Sequence, residues 1–211
     1  VLKRPDANKK EITMKRASVI TIGLLIVVFA AFQASYLAGQ GNQNAGWTTL
    51  FDGKNLQSFN MVGDANWQLA DGVVQANKGT GFLVSKNSYG DFQLKAEFWV
   101  DDDANSGIFI RCENPEMINA MNAYEVNIYD KRPDPSYGTG AIVDVAKPTT
   151  MLKAGGKWNT YEITAQKSHL VVTLNGTKTV DVENAAHARG PIGLQYGAGT
   201  VQFRSVQIKP M

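Results

Sequence analysis

The chain has 211 residues, 44% hydrophobic and 19% charged, a composition that excludes wholesale disorder and suits one globular domain with a tail. Its net charge of +2 hides an asymmetry: residues 1–16 carry six Lys/Arg against two Asp/Glu, and the remainder carries 15 against 17. The basic character therefore belongs to the N-terminal segment and gives no ground for nucleic-acid binding. One cysteine, Cys112, and two histidines, His169 and His187, exclude a disulfide framework and a Cys- or His-rich metal centre.

Residues 17–51 contain no charged side chain, and their apolar core, Ala17 to Phe32, follows directly on Lys15-Arg16. A basic stretch before a short apolar run is the pattern of an export signal. Met14 precedes that pair and reads as the start of the signal. The run falls short of the ~20 apolar residues that span a bilayer, and Tyr36-Leu37-Ala38 is a poor cleavage site because a bulky residue stands where a small one is wanted. Residues 1–38 are therefore expected to be an N-terminal extension with a cleaved signal peptide or, if retained, a membrane anchor formed by residues 17–38. Residues 39–46 (GQGNQNAG) read as a linker. Either outcome puts the rest of the chain outside the cytoplasm, in the periplasm or the extracellular space, where the lone Cys112 is expected to be a buried, inert thiol.

From Trp47 onward the spacing predicts strand after strand. Trp67–Leu69 and Val73–Gln75 flank an Ala70-Asp71-Gly72 turn. Asp91–Val100 alternates, with Phe92, Leu94, Ala96, Phe98 and Val100 on one face and Gln93, Lys95, Glu97 and Trp99 on the other. Ile108, Ile110 and Cys112 oppose Phe109 and Arg111; Tyr124, Val126 and Ile128 oppose Glu125, Asn127 and Tyr129. Tyr161, Ile163 and Ala165 repeat the pattern. Leu170, Val172 and Leu174 lead into Asn175-Gly176, a hairpin-turn dipeptide, and Val180 and Val182 return. The phase shift between Phe203 and Val206 predicts a bulge in the last strand. The only helical turns expected are Pro115–Met121 and Asn184–Ala188. Short strands with regular turn signals mean a sandwich or barrel over residues 47–211.

Several phrases, in order, carry a family resemblance: LFDGKNLQSF (Leu50–Phe59), DGVVQA (Asp71–Ala76), FLVSKNSYGDFQLKAEFWV (Phe82–Val100), ANSGIFIRC (Ala104–Cys112), YEVNIYD (Tyr124–Asp130), GGKWNTYEI (Gly155–Ile163), LNG (Leu174–Gly176), GPIGLQYG (Gly190–Gly197) and VQFRSVQIKP (Val201–Pro210). The chain resembles the 3-keto-disaccharide hydrolase family over residues 47–210. It departs in having Asn127 where the family often has Gln, and Arg204-Ser205 where it often has Arg-Asn. The resemblance implies an all-β, concanavalin A-like jelly-roll β-sandwich, here preceded by the hydrophobic export helix. It also implies cleavage of glycosides already oxidised at C3.

In such a sandwich one sheet presents a concave face of residues alternating with the core. That parity gives Glu97, Trp99, Phe109, Arg111, Glu125, Asn127 and Tyr129, joined by Gln195. Rings stack on sugar C–H faces, and carboxylates, amides and a guanidinium hold hydroxyls. A ketone at C3 acidifies the C2 proton, so one general base and one enolate stabiliser suffice. Glu125 is the expected base. Arg111 or a bound divalent metal ion is the expected stabiliser. Glu97, Trp99, Asn127, Tyr129, Asp130 and Gln195 are the expected substrate contacts. Asp130 has the other parity and could reach the cleft only at the strand end; its competing role is to cap the following loop.

Two alternatives stay open. A two-carboxylate glycosidase would use Glu97 and Glu125, and a non-catalytic carbohydrate-binding module fits the same fold. No phosphate loop or dinucleotide fingerprint appears, so no nucleotide cofactor is expected. Trp67 and Trp158 read as core, Asp101-Asp102-Asp103 as a solvated turn, and both histidines as surface residues.

Overall fold

Strict alternation of apolar and polar residues makes a strand that buries one face, as in Phe92–Val100 and His169–Leu174, and the chain forms thirteen strands in all. The computed structural model describes residues 45–211. The expected export segment and most of the expected linker lie outside the described residues. Among the described residues no helix is long and apolar enough to cross a membrane.

The strands are β1 (Thr48–Phe51), β2 (Phe59–Gly63), β3 (Gln68–Ala70), β4 (Val73–Ala76), β5 (Gly81–Ser85), β6 (Phe92–Val100) and β7 (Ser106–Ile110), followed by β8 (Tyr124–Ile128), β9 (Trp158–Gln166), β10 (His169–Leu174), β11 (Thr177–Glu183), β12 (Gly193–Tyr196) and β13 (Val201–Pro210). They form two antiparallel sheets. One has eight strands in the order β11-β10-β9-β6-β13-β4-β3, with β1 also on β13; the other has five in the order β2-β5-β12-β7-β8. The inner faces interdigitate into one core, in which Phe92, Leu94, Phe98, Tyr161 and Phe203 of the first sheet meet Leu83, Ile108, Ile110, Val126 and Leu194 of the second. The Phe98 and Tyr161 rings stack with centroids 5.1 Å apart, and the Tyr161 hydroxyl donates to the Asn127 carbonyl at 2.6 Å, which pins β8 across the sandwich.

The turn chemistry follows the residues that permit it. Asn175 and Gly176 both have positive φ, 52° and 79°, as a tight hairpin of primed type requires. The bulge falls between Phe203 and Ser205, so Arg204 is the extra residue of β13. The expected helical turns at Pro115–Met121 and Asn184–Ala188 are irregular loops instead. The single 3-10 turn among the described residues is Pro135–Tyr137, capped by the Asp134 side chain accepting from the Ser136 amide. Proline at its start and the Asx cap select that segment over the others.

Candidate functional site

The outer face of the five-stranded sheet is roofed by two long connections. Residues 111–123, between β7 and β8, turn back over the sheet. Ile118 descends onto it: a Cβ placed on Gly193 would lie 3.2 Å from Ile118 Cδ1. Beneath it Phe82 and Phe109 meet edge to face at 5.2 Å, a small apolar cluster separate from the main core. The connection after β8 runs beside that strand, with Asn127 N donating to Ala141 O at 3.0 Å and Val143 N to Glu125 O at 3.0 Å.

Between these connections Gly107 and Gly193 leave the sheet face without side chains of their own. Gly193 pairs with Phe109 and Leu194 with Ile108, a register that carries Gln195 to Gly107; Gly107 in turn pairs with Asn127, and Phe109 with Glu125. A Cβ on Gly107 would sit 3.3 Å from Phe109 Cε2 and 3.4 Å from Glu125 Cγ. The missing side chain is therefore what lets the Phe109 ring and the Glu125 stem pack close over the strand at this point. Gln195, one strand over, also lines a cleft of about 420 Å³ with Val62, Thr80, Phe82, Asn105 and Met117; Glu125 is not among its walls.

Glu125 is half-buried on this face. Burial pushes its carboxyl up to about 7 from an ordinary 4.5; the Arg132 guanidinium pulls it back down and Asp144 adds to the rise. Arg132, half-buried just past β8, makes no ion pair among the described residues. A carboxyl pushed up by burial, within the field of a guanidinium that has no ion-pair partner, suits proton abstraction. Gln195 is half-buried, and its Oε1 is enclosed without a donor among the described residues.

Other expected residues stand elsewhere. Arg111 is not on the open face. It lies at the exit of β7 with φ of 54° and is 1% exposed. Its guanidinium donates to the carbonyls of Gly90 (2.9 Å), Lys167 (2.7 Å) and His187 (3.1 Å) and to Asp91 Oδ1 (3.2 Å). Left-handed backbone rotates the side chain off the strand's alternation, so parity counted along the strand misplaced it. Asn127 has the expected parity but is wholly buried beneath the 3-10 turn, its Nδ2 donating to Tyr137 O at 2.6 Å. Asp130 takes the competing role: its carboxylate accepts from Thr139 Oγ1 and from the Ala154 and Gly155 amides, clasping two loops. Tyr129 stays half-buried at the end of β8.

Glu97 and Trp99 belong to β6, in the opposite sheet, and point outward from it. Two sheets about 10 Å apart lie between them and Glu125, so a Glu97–Glu125 glycosidase pair does not exist. Alternation tells which residues share a face of a strand; it does not tell which sheet the strand joins. Trp158 is likewise on that outer face rather than in the core, with Arg204 4.3 Å from its ring centroid. His187 is buried against the Tyr124 ring, while His169 is a surface partner of Asp181. Cys112 is buried, its thiol pushed up to about 12 by desolvation, and Asp102 and Asp103 are exposed. Among the described residues no group of three or more His, Cys, Asp or Glu is disposed to hold a metal ion. Arg132 escaped the sequence reading because it lies beyond the strand end, where alternation gives no parity.

A family model for the 3-keto-alpha-glucoside-1,2-lyase-like domain matches residues 46–209. Two structures of candidate glycosyl hydrolases from Parabacteroides distasonis align with the chain. One has a TM-score of 0.71 at 21% identity, covering 80% of this chain and 95% of its own. The other has a TM-score of 0.67 at 26% identity, covering 78% and 99%. The carbohydrate-binding module CBM66 from Bacillus subtilis aligns with a TM-score of 0.55 at 18% identity over 77% of this chain and 94% of its own, a likeness of fold alone. Among curated proteins none matches the sequence.

Proposed function

Starting from the fact that the chain belongs to the 3-keto-alpha-glucoside-1,2-lyase-like family, we propose that it cleaves the glycosidic bond of glycosides carrying a ketone at C3, with Glu125 as the general base. The observation that carries this is Glu125 itself: a half-buried carboxyl on the outer face of the five-stranded sheet, pushed to about 7 by burial and within the field of the Arg132 guanidinium. The C3 ketone makes the C2 hydrogen acidic. Glu125 takes that proton, and the electron pair of the C2–H bond forms the enolate. Arg132 stabilises the enolate oxygen. The enolate then expels the C1 substituent, whose oxygen takes up a proton, leaving an unsaturated ketone to which water adds for net hydrolysis. Gln195 would hold a sugar hydroxyl at the mouth of the cleft, with Tyr129 at the strand end. A divalent ion would supply the same stabilisation as a Lewis acid, but among the described residues no cluster of His, Cys, Asp or Glu is placed to hold one.

Residues 17–38, a short apolar run behind a basic stretch, support export of the domain to the periplasm or beyond.

The test is incubation of the full chain with 3-keto-trehalose or a 3-keto-glucoside, with loss of substrate followed by NMR. Turnover by the wild type and a fall of at least about 100-fold in Glu125→Gln are expected. Turnover unaffected by EDTA assigns the enolate to Arg132; turnover stopped by it assigns the enolate to a metal. A protein that binds glycans but turns over no ketoglycoside overturns the proposal in favour of a binding module.

A further inference from the structure

The outer face of the eight-stranded sheet has a chemistry of its own. Register places Trp158, Trp99, Gln202, Gln75 and Gln68 in one row across β9, β6, β13, β4 and β3, a residue per strand at about 4.8 Å spacing. Trp99 is half-buried and meets no other ring and no cation among the described residues, unlike Trp158, so the exposed part of its indole has no aromatic or cationic partner there. Gln202 Nε2 donates to Gln75 Oε1 at 2.6 Å, which fixes both amides and leaves the Gln202 carbonyl and the remaining amide hydrogens for a ligand.

The bulge in β13 adds the next part. Arg204, the extra residue, lies over the Trp158 ring at 4.3 Å and donates through Nε to the Glu97 carboxylate. This clamp holds ring, guanidinium and carboxylate in one arrangement before any ligand arrives, and its charges cancel. Farther along the same face Trp47 walls a depression of about 260 Å³ that includes Gln93, Glu162, Thr164 and Thr173, with the Glu162 carboxylate paired to Lys95 at 3.5 Å. From Trp99 to Gln93 the strand rises about 20 Å, a span that a chain of several sugar units covers and a monosaccharide does not.

We propose that this face is a second carbohydrate-binding surface, taking an extended neutral polysaccharide that stacks on Trp99 and Trp47 and hydrogen-bonds to the Gln202–Gln75 pair and the Arg204–Glu97 clamp. Aromatic rings accept the C–H faces of pyranoses and the amides accept and donate to their hydroxyls. The cancelled charge selects a neutral chain over an anionic one. This surface and the Glu125 face lie on opposite outer sides of the sandwich and work independently, the one holding a polymer while the other acts on small glycosides.

Affinity electrophoresis of the full chain in gels containing mixed-linkage β-glucan, xyloglucan or dextran, with carboxymethylcellulose as the anionic comparison, tests this. At least one neutral polymer should retard the protein, and Trp99→Ala should weaken that retardation at least ten-fold. Trp47→Ala, at a position outside the core, should weaken it too, whatever happens to the folding of Trp99→Ala. Glu125→Gln should leave it unchanged. Three results overturn the proposal: retardation by no neutral polymer, retardation lost in Glu125→Gln but kept in both tryptophan variants, or a solution dimer that covers Trp99. Ketoglycoside turnover is read separately, so failure here leaves the assignment of Glu125 standing.

Discussion

Glu125 costs the protein stability at the pH where it works. Its folded-state value of about 7 lies above the ordinary 4.5, so between those two pH values the folded chain holds more of the proton than the unfolded chain does. Stability therefore falls as pH rises through that window and levels off above it. Glu125→Gln removes the cost. The variant should match the wild type in urea midpoint near pH 4 and exceed it at pH 8, by on the order of 1 kcal/mol for a half-buried group. Activity runs the other way, rising with pH through about 7 as the base ionises. Arg132 supplies the opposing pull on the carboxyl. Arg132→Ala should lower kcat by about 100-fold or more and move the pH–rate inflection upward, because the positive charge that eases ionisation is gone. Arg132→Lys should bring the inflection back without restoring full kcat. A pH–rate profile of the two variants reads both effects; an unmoved inflection in Arg132→Ala would remove Arg132 from the site.

At the scale of elements, β7 and β8 make the site by what they lack as much as by what they carry. Gly107 has no positive φ, so an alanine there is not strained by backbone, yet its Cβ would press on Phe109, the Val126 carbonyl and Glu125 Cγ at 3.3–3.4 Å. Gly107→Ala should keep the fold and lower kcat/KM about 10- to 100-fold, because the carboxyl shifts within a site that tolerates little displacement. Circular dichroism and steady-state kinetics measure the two together, and a fully active Gly107→Ala would show that the substrate does not sit against this part of the sheet. Alternation in β6, β7 and β8 made the inward faces legible in the sequence, and the hairpin at Asn175-Gly176 and the bulge beside Arg204 were legible from turn chemistry and phase. Sheet membership was not. β6 and β8 have the same pattern, and only long-range pairing puts one in each sheet. Strand parity alone therefore groups Glu97 and Trp99 with Glu125, and it is silent on Arg132, which lies on irregular chain.

At the scale of the whole molecule, Arg111 joins parts of the chain that sequence keeps far apart. Its donors reach carbonyls at Gly90, Lys167 and His187, which belong to the approach to β6, the β9–β10 turn and the approach to β12. Burial disfavours its charge, and the Asp91 carboxylate offsets part of that cost. A guanidinium fits here because its fan of planar donors serves three carbonyls and one carboxylate at once; a lysine offers three donors from one point and cannot span them. Arg111→Lys should therefore lower stability by at least about 3 kcal/mol, the cost of leaving buried carbonyls without donors. Because the loops it ties come from both sheets, the loss should be global: a single cooperative transition at lower urea concentration, not early fraying of one loop. Below that transition kcat per folded molecule should be close to wild type, since no donor of Arg111 reaches the open face. Equilibrium urea unfolding with a kinetic assay at each denaturant concentration separates the two roles. A variant as stable as the wild type but inactive would return Arg111 to the chemistry; an unstable variant with normal kcat assigns it to the clasp that holds the two sheets at one end.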